Sequence, residues 1–240
     1  MRAQIFIAMI ILTLSSCRNQ QAPKENEDRV ATALSEKEDK LKTLLKQYQL
    51  KKENLNVLFV AYKENNKLQL FAKNKSDKEY VLVETYDICK KSGVLGPKKA
   101  EGDKQVPEGF YHINRFNPKS LFHLSLGLNY PNDRDNQMGY TGSDIFIHGK
   151  CETVGCLPMT DELIKEIYLY ALWSKEAGQT NIPVYIFPFA MTDENISKHQ
   201  NQVDAQIITF WKNLQEGWIQ FQQSQKELQF SMVEGIYIFE

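Results

Sequence analysis

Apolar and polar positions change their period along the chain, with a strand-like pattern in the middle and helical spacing on both sides. The middle part holds short segments rich in β-branched and aromatic side chains, separated by polar turns. Such segments are typical of β-strands in a layered core. The predicted strands are residues 56–62, 67–72, 80–86, 109–113, 121–128, 144–148 and 183–187.

Helical spacing predicts three further regions. The first, residues 35–52, carries Leu41 and Leu45 on one face and opens with Ser35 and Glu38, a capping-box pair. The others are residues 160–175 and a longer region, 193–225, that we expect to break or bend near Gly217.

These regions predict an α+β, mostly β protein in which peripheral helices cover a β-rich core. A helical segment, residues 36–55, precedes a core of residues 56–187. Residues 188–240 form a C-terminal helical extension that finishes in strands, because apolar residues alternate again over 227–239.

The N-terminus indicates export. Arg2 precedes an apolar run over residues 5–14, which has the length of a signal-peptide core and is too short to span a bilayer. The run ends in Leu-Ser-Ser before Cys17, which resembles the processing site of bacterial lipoproteins. That resemblance implies removal of residues 1–16 and lipidation of Cys17; the alternative is an ordinary secretory signal with an incidental cysteine.

The expected location is therefore the bacterial cell envelope or periplasm, with the protein held at a membrane by its lipid. Residues 17–35 are polar and predict a tether between that membrane and the folded part. Multiple acyl chains would give lasting membrane attachment, whereas a single chain would not.

Charge and cysteine content argue against two classes of protein, nucleic-acid binders and disulfide scaffolds. The 240 residues carry a formal net charge of −1, which argues against nucleic acid as a partner. Four cysteines are few for a disulfide scaffold. If Cys17 is lipidated, Cys89, Cys151 and Cys156 remain, an odd number that leaves at least one thiol free or paired between molecules.

One segment carries the residues of a nucleophilic site. An apolar run ends in His148, a short loop follows, and Gly155 and Cys156 stand shortly before a predicted helix. A cysteine nucleophile needs a base to form its thiolate and donors to hold the substrate oxyanion. We assign Cys156 as nucleophile, His148 as base, and the N–H groups of Gly155 and Cys156 as the oxyanion donors.

Two other interpretations of this segment stay open. Cys151 and Cys156 could form a small-loop disulfide, with Cys89 as a buried small hydrophobic residue. His148, Cys151 and Cys156 could bind zinc, although structural zinc sites use four ligands and a different spacing. We predict no metal and no cofactor, because both reacting groups are side chains.

Four segments resemble, in order, the L,D-transpeptidase catalytic domain of the YkuD type. They are residues 96–111, with the Pro-Glu-Gly-Phe-Tyr sequence, then 124–132, 142–149 and the nucleophile turn 155–159. Only seven residues separate His148 from Cys156, and Val154 replaces the second histidine usual before the Gly-Cys pair. This compact form is similar to the YafK-type branch, which contains murein L,D-transpeptidases and amidases.

The resemblance implies an enzyme that acts on peptidoglycan stem peptides. Its cysteine would attack the amide after diaminopimelate and form an acyl-enzyme, and the carbonyl of Gly149 would orient His148. Alternatives are a hydrolase of the same fold, either an L,D-carboxypeptidase or an amidase, and a non-catalytic wall-binding lipoprotein. Polar residues near the motifs are candidate substrate contacts. They are His123, Tyr130, Arg134, Tyr140 and Ser143.

Overall fold

The computed structural model describes residues 28–240. The predicted signal peptide and the lipidation site Cys17 lie outside these residues. The described helices are α1 (Arg29–Gln47), α2 (Asp133–Gln137), α3 (Asp161–Glu176), α4 (Asp193–His199) and α5 (Ala205–Ser224). Among the described helices, none is long and apolar enough to cross a membrane.

Ten strands within residues 28–240 form two sheets. They are β1 (Leu55–Tyr62), β2 (Lys67–Asn74), β3 (Val81–Asp87), β4 (Gly109–Asn117), β5 (Ser125–Leu128), β6 (Phe146–His148), β7 (Leu157–Pro158), β8 (Ile182–Phe187), β9 (Phe230–Val233) and β10 (Ile236–Phe239). The large sheet has the order β3-β2-β1-β8-β4-β5-β6-β7, and β9 and β10 form a separate hairpin. Two pairs, β1 with β8 and β6 with β7, are parallel.

The large sheet separates two apolar cores. Odd-numbered residues of β1, from Leu55 to Ala61, lie in a core with α3 and part of α1. Leu58 and Val60 point to the other side and pack in a second core with α4, α5 and the hairpin. Successive side chains of a strand point to opposite faces. Because helices or strands cover both faces, β1 is apolar almost throughout rather than alternating.

The structure confirms the predicted α+β class, with a β-rich core and peripheral helices. The N-terminal boundary differs, because α1 begins at Arg29 and residues 29–35 are helical instead of belonging to a tether. Its cap is Asp28, whose carboxylate accepts hydrogen bonds from the N–H groups of Val30 and Ala31. The expected cap at Ser35 is therefore wrong, because an acceptor placed earlier starts the helix.

The C-terminal helical region also differs from the prediction. It consists of α4 and α5, and the break falls between them at residues 200–204 instead of near Gly217. Gly217 lies inside α5, where a Cβ atom would come within 2.5 Å of the Phe239 ring and 2.8 Å of the Phe110 ring. The glycine lets the hairpin approach the helix, and this packing contact outweighs its low helix propensity.

A buried ion pair joins the sheet to the C-terminal extension. The carboxylate of Glu108 is fully buried and accepts hydrogen bonds from Lys63 Nζ (2.9 Å), the Gly96 N–H (2.7 Å) and Trp211 Nε1 (2.8 Å). Lys63 Nζ also donates to the carbonyl groups of Gly96 and Val106. Each charged group thus has several partners, as buried charges require.

We expect Glu108→Ala to lower the free energy of unfolding by about 3–5 kcal/mol, since it leaves the Lys63 ammonium buried without its counterion. Urea denaturation followed by circular dichroism measures this. Asp87→Ala is the matched control, because it removes an exposed ion pair with Lys67 and should cost less than about 1 kcal/mol. Equal losses for the two variants would show that the buried pair does not stabilise the fold.

Candidate active site

The nucleophile segment folds back beside the strand that precedes it. Strand β6 ends at His148, residues 149–156 form a loop, and β7 then pairs in parallel with β6. In this register Ile147 lies opposite Leu157, and His148 lies opposite Pro158. Cys156, the residue before β7, and His148 consequently line the same cavity, which has a volume of about 430 Å³.

His148 is held in one tautomer. Its Nδ1 lies 2.7 Å from the carbonyl oxygen of Gly149, which can only accept, so Nδ1 carries the hydrogen and Nε2 is left as the basic nitrogen. The ring packs against Phe122, with 4.7 Å between the ring centroids. Burial lowers the pKa of His148, and the bond to Gly149 opposes this only in part. The imidazole is therefore neutral at pH 7 and able to accept a proton.

Cys156 is a free thiol. Its Sγ donates to the carbonyl of Asp144 at 3.5 Å, so the thiol proton is directed to the backbone instead of to His148. Burial raises the pKa of Cys156 and Asp144 raises it further, whereas the Phe146 N–H and Lys98 act in the opposite direction. The free protein therefore holds a protonated thiol beside a neutral imidazole.

Both N–H groups assigned as oxyanion donors are already bonded to hydroxyl groups. Gly155 N–H donates to Ser92 Oγ (2.8 Å), and Cys156 N–H donates to Thr153 Oγ1 (2.9 Å). Thr153 Oγ1 in turn donates to the carbonyl of Cys156. A substrate oxygen must displace these hydroxyls to reach the N–H groups. Neither hydroxyl is predicted from the sequence. Thr153 lies in the motif, but Ser92 is 63 residues before Gly155 and has no sequence signal that connects it to the site.

The glycine before the nucleophile is required by its backbone. Gly155 has φ +103°, and a Cβ atom there would lie 3.0 Å from the carbonyl oxygen of Gln105. A side chain would be strained by this conformation and crowded by that oxygen. The loop of residues 149–156 therefore packs closely on the segment around Gln105.

A disulfide ties the nucleophile loop to the chain after β3. Cys89 is bonded to Cys151, 62 positions away, and the Cys89 N–H donates to the carbonyl of Pro158 at 2.9 Å. The interpretation of Cys89 as a simple buried hydrophobic residue is wrong, and so is the alternative disulfide between Cys151 and Cys156. Cys151 is also not available as a zinc ligand, and no group of three or more potential ligands is present within residues 28–240.

The candidate substrate contacts are not gathered in one place. Ser143 is exposed and lies next to Asp144, which lines the cavity of Cys156. His123 follows Phe122 of the same cavity wall, and its carbonyl accepts a hydrogen bond from Arg29. The hydroxyl of Tyr130 is shared between the carbonyls of Lys98 and Thr141.

Arg134 and Tyr140 lie outside the cavity that Cys156 and His148 line. Both line a separate cavity beside α5 and the C-terminal hairpin, and that cavity shares no lining residue with the one that holds Cys156. Position near a motif in sequence was the only basis for grouping them with the catalytic residues. The fold carries this part of the chain to a different surface.

The cavity rim combines apolar and acidic groups that the sequence did not single out. Leu121 and Val154, both in the cavity lining, are 84% and 70% exposed, so their apolar surface is available to a ligand. Asp144 and Glu152 also line the cavity. Each is paired with a cation at the surface, Asp144 with Arg115 at 2.5 Å and Glu152 with Lys90 at 3.1 Å.

Sequence comparison identifies the family to which this fold and site belong. The YkuD family of L,D-transpeptidase catalytic domains matches residues 56–186, and the chain belongs to this family. The chain is also 37% identical over 166 residues to "Putative L,D-transpeptidase YafK" of Escherichia coli (strain K12). That match covers 68% of this chain and 66% of the E. coli protein, so it spans just under two thirds of the relative's length.

Two of the solved structures that are similar to this chain are from Campylobacter jejuni and Bdellovibrio bacteriovorus. The helical cell shape determining protein Pgp2 from Campylobacter jejuni matches with a TM-score of 0.46 and 17% identity over 80% of each chain. Bdellovibrio bacteriovorus Bd1075 matches with a TM-score of 0.42 and 20% identity, over 68% of this chain and 71% of that chain.

The electrostatics of the site predict how the thiol reacts. Because burial raises the pKa of Cys156, the rate of alkylation by iodoacetamide should keep rising with pH beyond about 8.5, the ordinary thiol value. Mass spectrometry of the peptide that contains Cys156 measures the rate, with glutathione as the reference thiol. A plateau reached below pH 7 would instead indicate a preformed thiolate–imidazolium pair and contradict this prediction.

Proposed function

We propose that the protein is a cysteine-dependent L,D-transpeptidase that acts on peptidoglycan stem peptides. The single observation that carries the proposal is the free thiol of Cys156 in one cavity with His148, whose Nδ1 is bound to the Gly149 carbonyl. A nucleophile, a base and a group that orients the base are what acyl transfer through a covalent intermediate needs. Membership of the YkuD family supports the wall as substrate.

The first half of the reaction forms the acyl-enzyme. Nε2 of His148 takes the thiol proton, and Sγ of Cys156 attacks the carbonyl carbon of the amide that follows diaminopimelate. The C–S bond forms, the C–N bond breaks, and His148 returns the proton to the departing amine. Binding of the substrate has to turn the thiol from the Asp144 carbonyl towards His148.

The second half transfers the acyl group. An amine attacks the thioester, His148 removes a proton from that amine, and the C–S bond breaks. The departing thiolate is reprotonated by His148, which restores the neutral pair. The oxyanion of each step would take the N–H group of Cys156 in place of the Thr153 hydroxyl. Losing one such donor typically costs about 10²–10³ in rate.

The rim of the cavity fits the charge of the proposed substrate. Diaminopimelate carries ammonium as well as carboxylate groups, and Asp144 and Glu152 offer carboxylates beside the thiol. Arg115, paired with Asp144, could receive a substrate carboxylate. Leu121 and Val154 would contact the apolar methylene and methyl groups of the stem peptide.

Hydrolysis by the same acyl-enzyme is the second candidate. Exposure of Leu121 and Val154 at the rim favours it, because solvent reaches the edge of the cavity in which the thioester would form. A carboxypeptidase or amidase would use the same two residues, with water in place of the acceptor amine. The products decide between the candidates, since only transfer joins two peptides.

We expect Cys156→Ser to abolish product formation from disaccharide-tetrapeptide or sacculi, and His148→Ala to lower the rate by about 10²–10⁴-fold through loss of the base. Mass spectrometry of the products measures both effects and separates transfer from hydrolysis. The matched control is the double variant Cys89→Ala/Cys151→Ala. This variant lacks the disulfide but keeps Cys156. Its free energy of unfolding should fall by about 2–4 kcal/mol, and it should still turn over the substrate.

Two results would contradict this assignment. Turnover by Cys156→Ser at the wild-type rate would exclude Cys156 as the nucleophile. Binding of sacculi by the wild-type protein with no change in their peptides would favour the non-catalytic wall-binding lipoprotein.

We further propose that the protein is an exported lipoprotein anchored through Cys17, which lies outside the described residues. The support is the signal-like apolar run and the Leu-Ser-Ser-Cys sequence. In a bacterial host, a clickable fatty acid should label the wild-type protein and should not label Cys17→Ala. Equal labelling of the two would exclude this anchor without bearing on the chemistry of Cys156.

A further inference from the structure

A cavity of about 820 Å³ lies between α5, the C-terminal hairpin and residues 134–140, a segment that begins in α2. Its walls include apolar and aromatic side chains together with one buried cation. They are Tyr140, Ile207, Phe210, Phe239 and Arg134. The catalytic residues Cys156 and His148 line other surfaces, so the proposed reaction leaves this cavity without a role.

Arg134 is the unusual group in this cavity. Its side chain is 5% exposed, and the guanidinium carbon lies 3.5 Å from the centroid of the Phe210 ring. Two of its nitrogens, Nε and Nη1, are buried and have no hydrogen-bond partner within residues 28–240. The Tyr140 ring lies 5.9 Å from the same carbon. A buried guanidinium without hydrogen-bond partners is costly, and its contacts with these two rings offset only part of that cost.

The neighbouring carboxylate does not complete the pairing. Asp135 Oδ1 is 4.0 Å from Nη1 of Arg134, beyond hydrogen-bond distance. Its Oδ2 accepts hydrogen bonds from the Tyr111 hydroxyl at 3.0 Å and the Asn132 N–H at 3.2 Å. Burial also raises the pKa of Asp135 to about 6, so this carboxylate loses its charge as the pH falls through that value.

The charges at the mouth of the cavity restrict the ligand. Lys99 and Lys212 line it and favour an anion. Glu216 and Glu234 line it too and are exposed, so a polyanion would be repelled. A single carboxylate on a small, partly apolar body fits this balance, because a guanidinium binds a carboxylate through two parallel hydrogen bonds.

We propose that this cavity is a second ligand site, in which Arg134 binds the carboxylate of an N-acyl amino acid or a peptide end and Ile207 and Tyr140 contact its apolar part. The site does not depend on Cys156 or on the proposed transpeptidase reaction. The carboxylate can come from a D-residue, as at the end of wall peptides, or from an L-residue. The two sources share the chemistry that Arg134 recognises.

Methionine methyl groups provide separate reporters for the two sites. Met138 lines the second cavity, whereas Met159 is buried and its N–H donates to the carbonyl of His148. The full chain labelled with ¹³C-methyl methionine is titrated with N-acetyl-D-alanine and, separately, with N-acetyl-L-alanine. We expect saturable shifts of the Met138 signal with at least one acid, and the preferred enantiomer identifies the source. N-acetyl-alaninamide, which lacks the carboxylate, should cause no shift.

Arg134→Met should weaken binding of the acid at least tenfold, and Arg134→Lys should weaken it less. If Arg134→Met fails to fold, Thr209→Glu tests the same point, because Thr209 is exposed on the cavity wall and the new carboxylate would compete with the ligand. Lys75→Met, an exposed lysine outside the cavity lining, is the control and should bind as the wild type does. Equal shifts with acid and amide, or unchanged binding in a folded Arg134 or Thr209 variant, would overturn the proposal.

Discussion

The buried pair of Glu108 and Lys63 is the interaction on which both the sheet and the active site depend. It lies where β1 ends and β4 begins, and its hydrogen bonds hold the segment of residues 96–106 against the sheet. That segment leads to Gln105, whose carbonyl oxygen packs on Gly155. Trp211 joins the same carboxylate from α5. The buried carboxylate of Glu108 thus fixes the relative positions of β1, β4 and α5. It also holds the segment on which the loop of residues 149–156 packs.

The site itself is kept uncharged until substrate arrives. Burial works against ionisation of both partners, since it raises the pKa of Cys156 and lowers that of His148. A neutral pair costs less to bury than a thiolate and an imidazolium. It also avoids a permanently reactive thiolate in a protein that contains a disulfide. In the proposed reaction, substrate binding has to redirect the thiol from the Asp144 carbonyl and displace the hydroxyl of Thr153.

The C-terminal extension completes the second core and creates a surface that the catalytic core would not have. Helix α5 and the hairpin cover the side of the sheet formed by Leu58 and Val60. Gly217 allows their close contact, and Phe110 and Phe239 fill the space beside it. The same packing leaves the cavity around Arg134, so the extension both stabilises the sheet and forms the proposed second ligand site, remote from the thiol.

The sequence by itself determined the features that depend on neighbouring residues. Strand and helix periods located most of the sheet and α3. The spacing of His148, Gly155 and Cys156 predicted a nucleophilic segment, and the fold brings His148 and Cys156 to one cavity. Only the tertiary structure decided what joins distant residues: the bond between Cys89 and Cys151, the contact of Ser92 with Gly155, and the removal of Arg134 to another cavity. The unbroken helix at Gly217 belongs with these, because packing against the Phe239 and Phe110 rings outweighs the local pattern. The start of α1 at Arg29 is set locally, by the cap at Asp28. Local periodicity indicates which face of a helix or strand is buried. A contact between residues that are far apart in the sequence does not alter the pattern of residues around either of them, so that pattern cannot predict it.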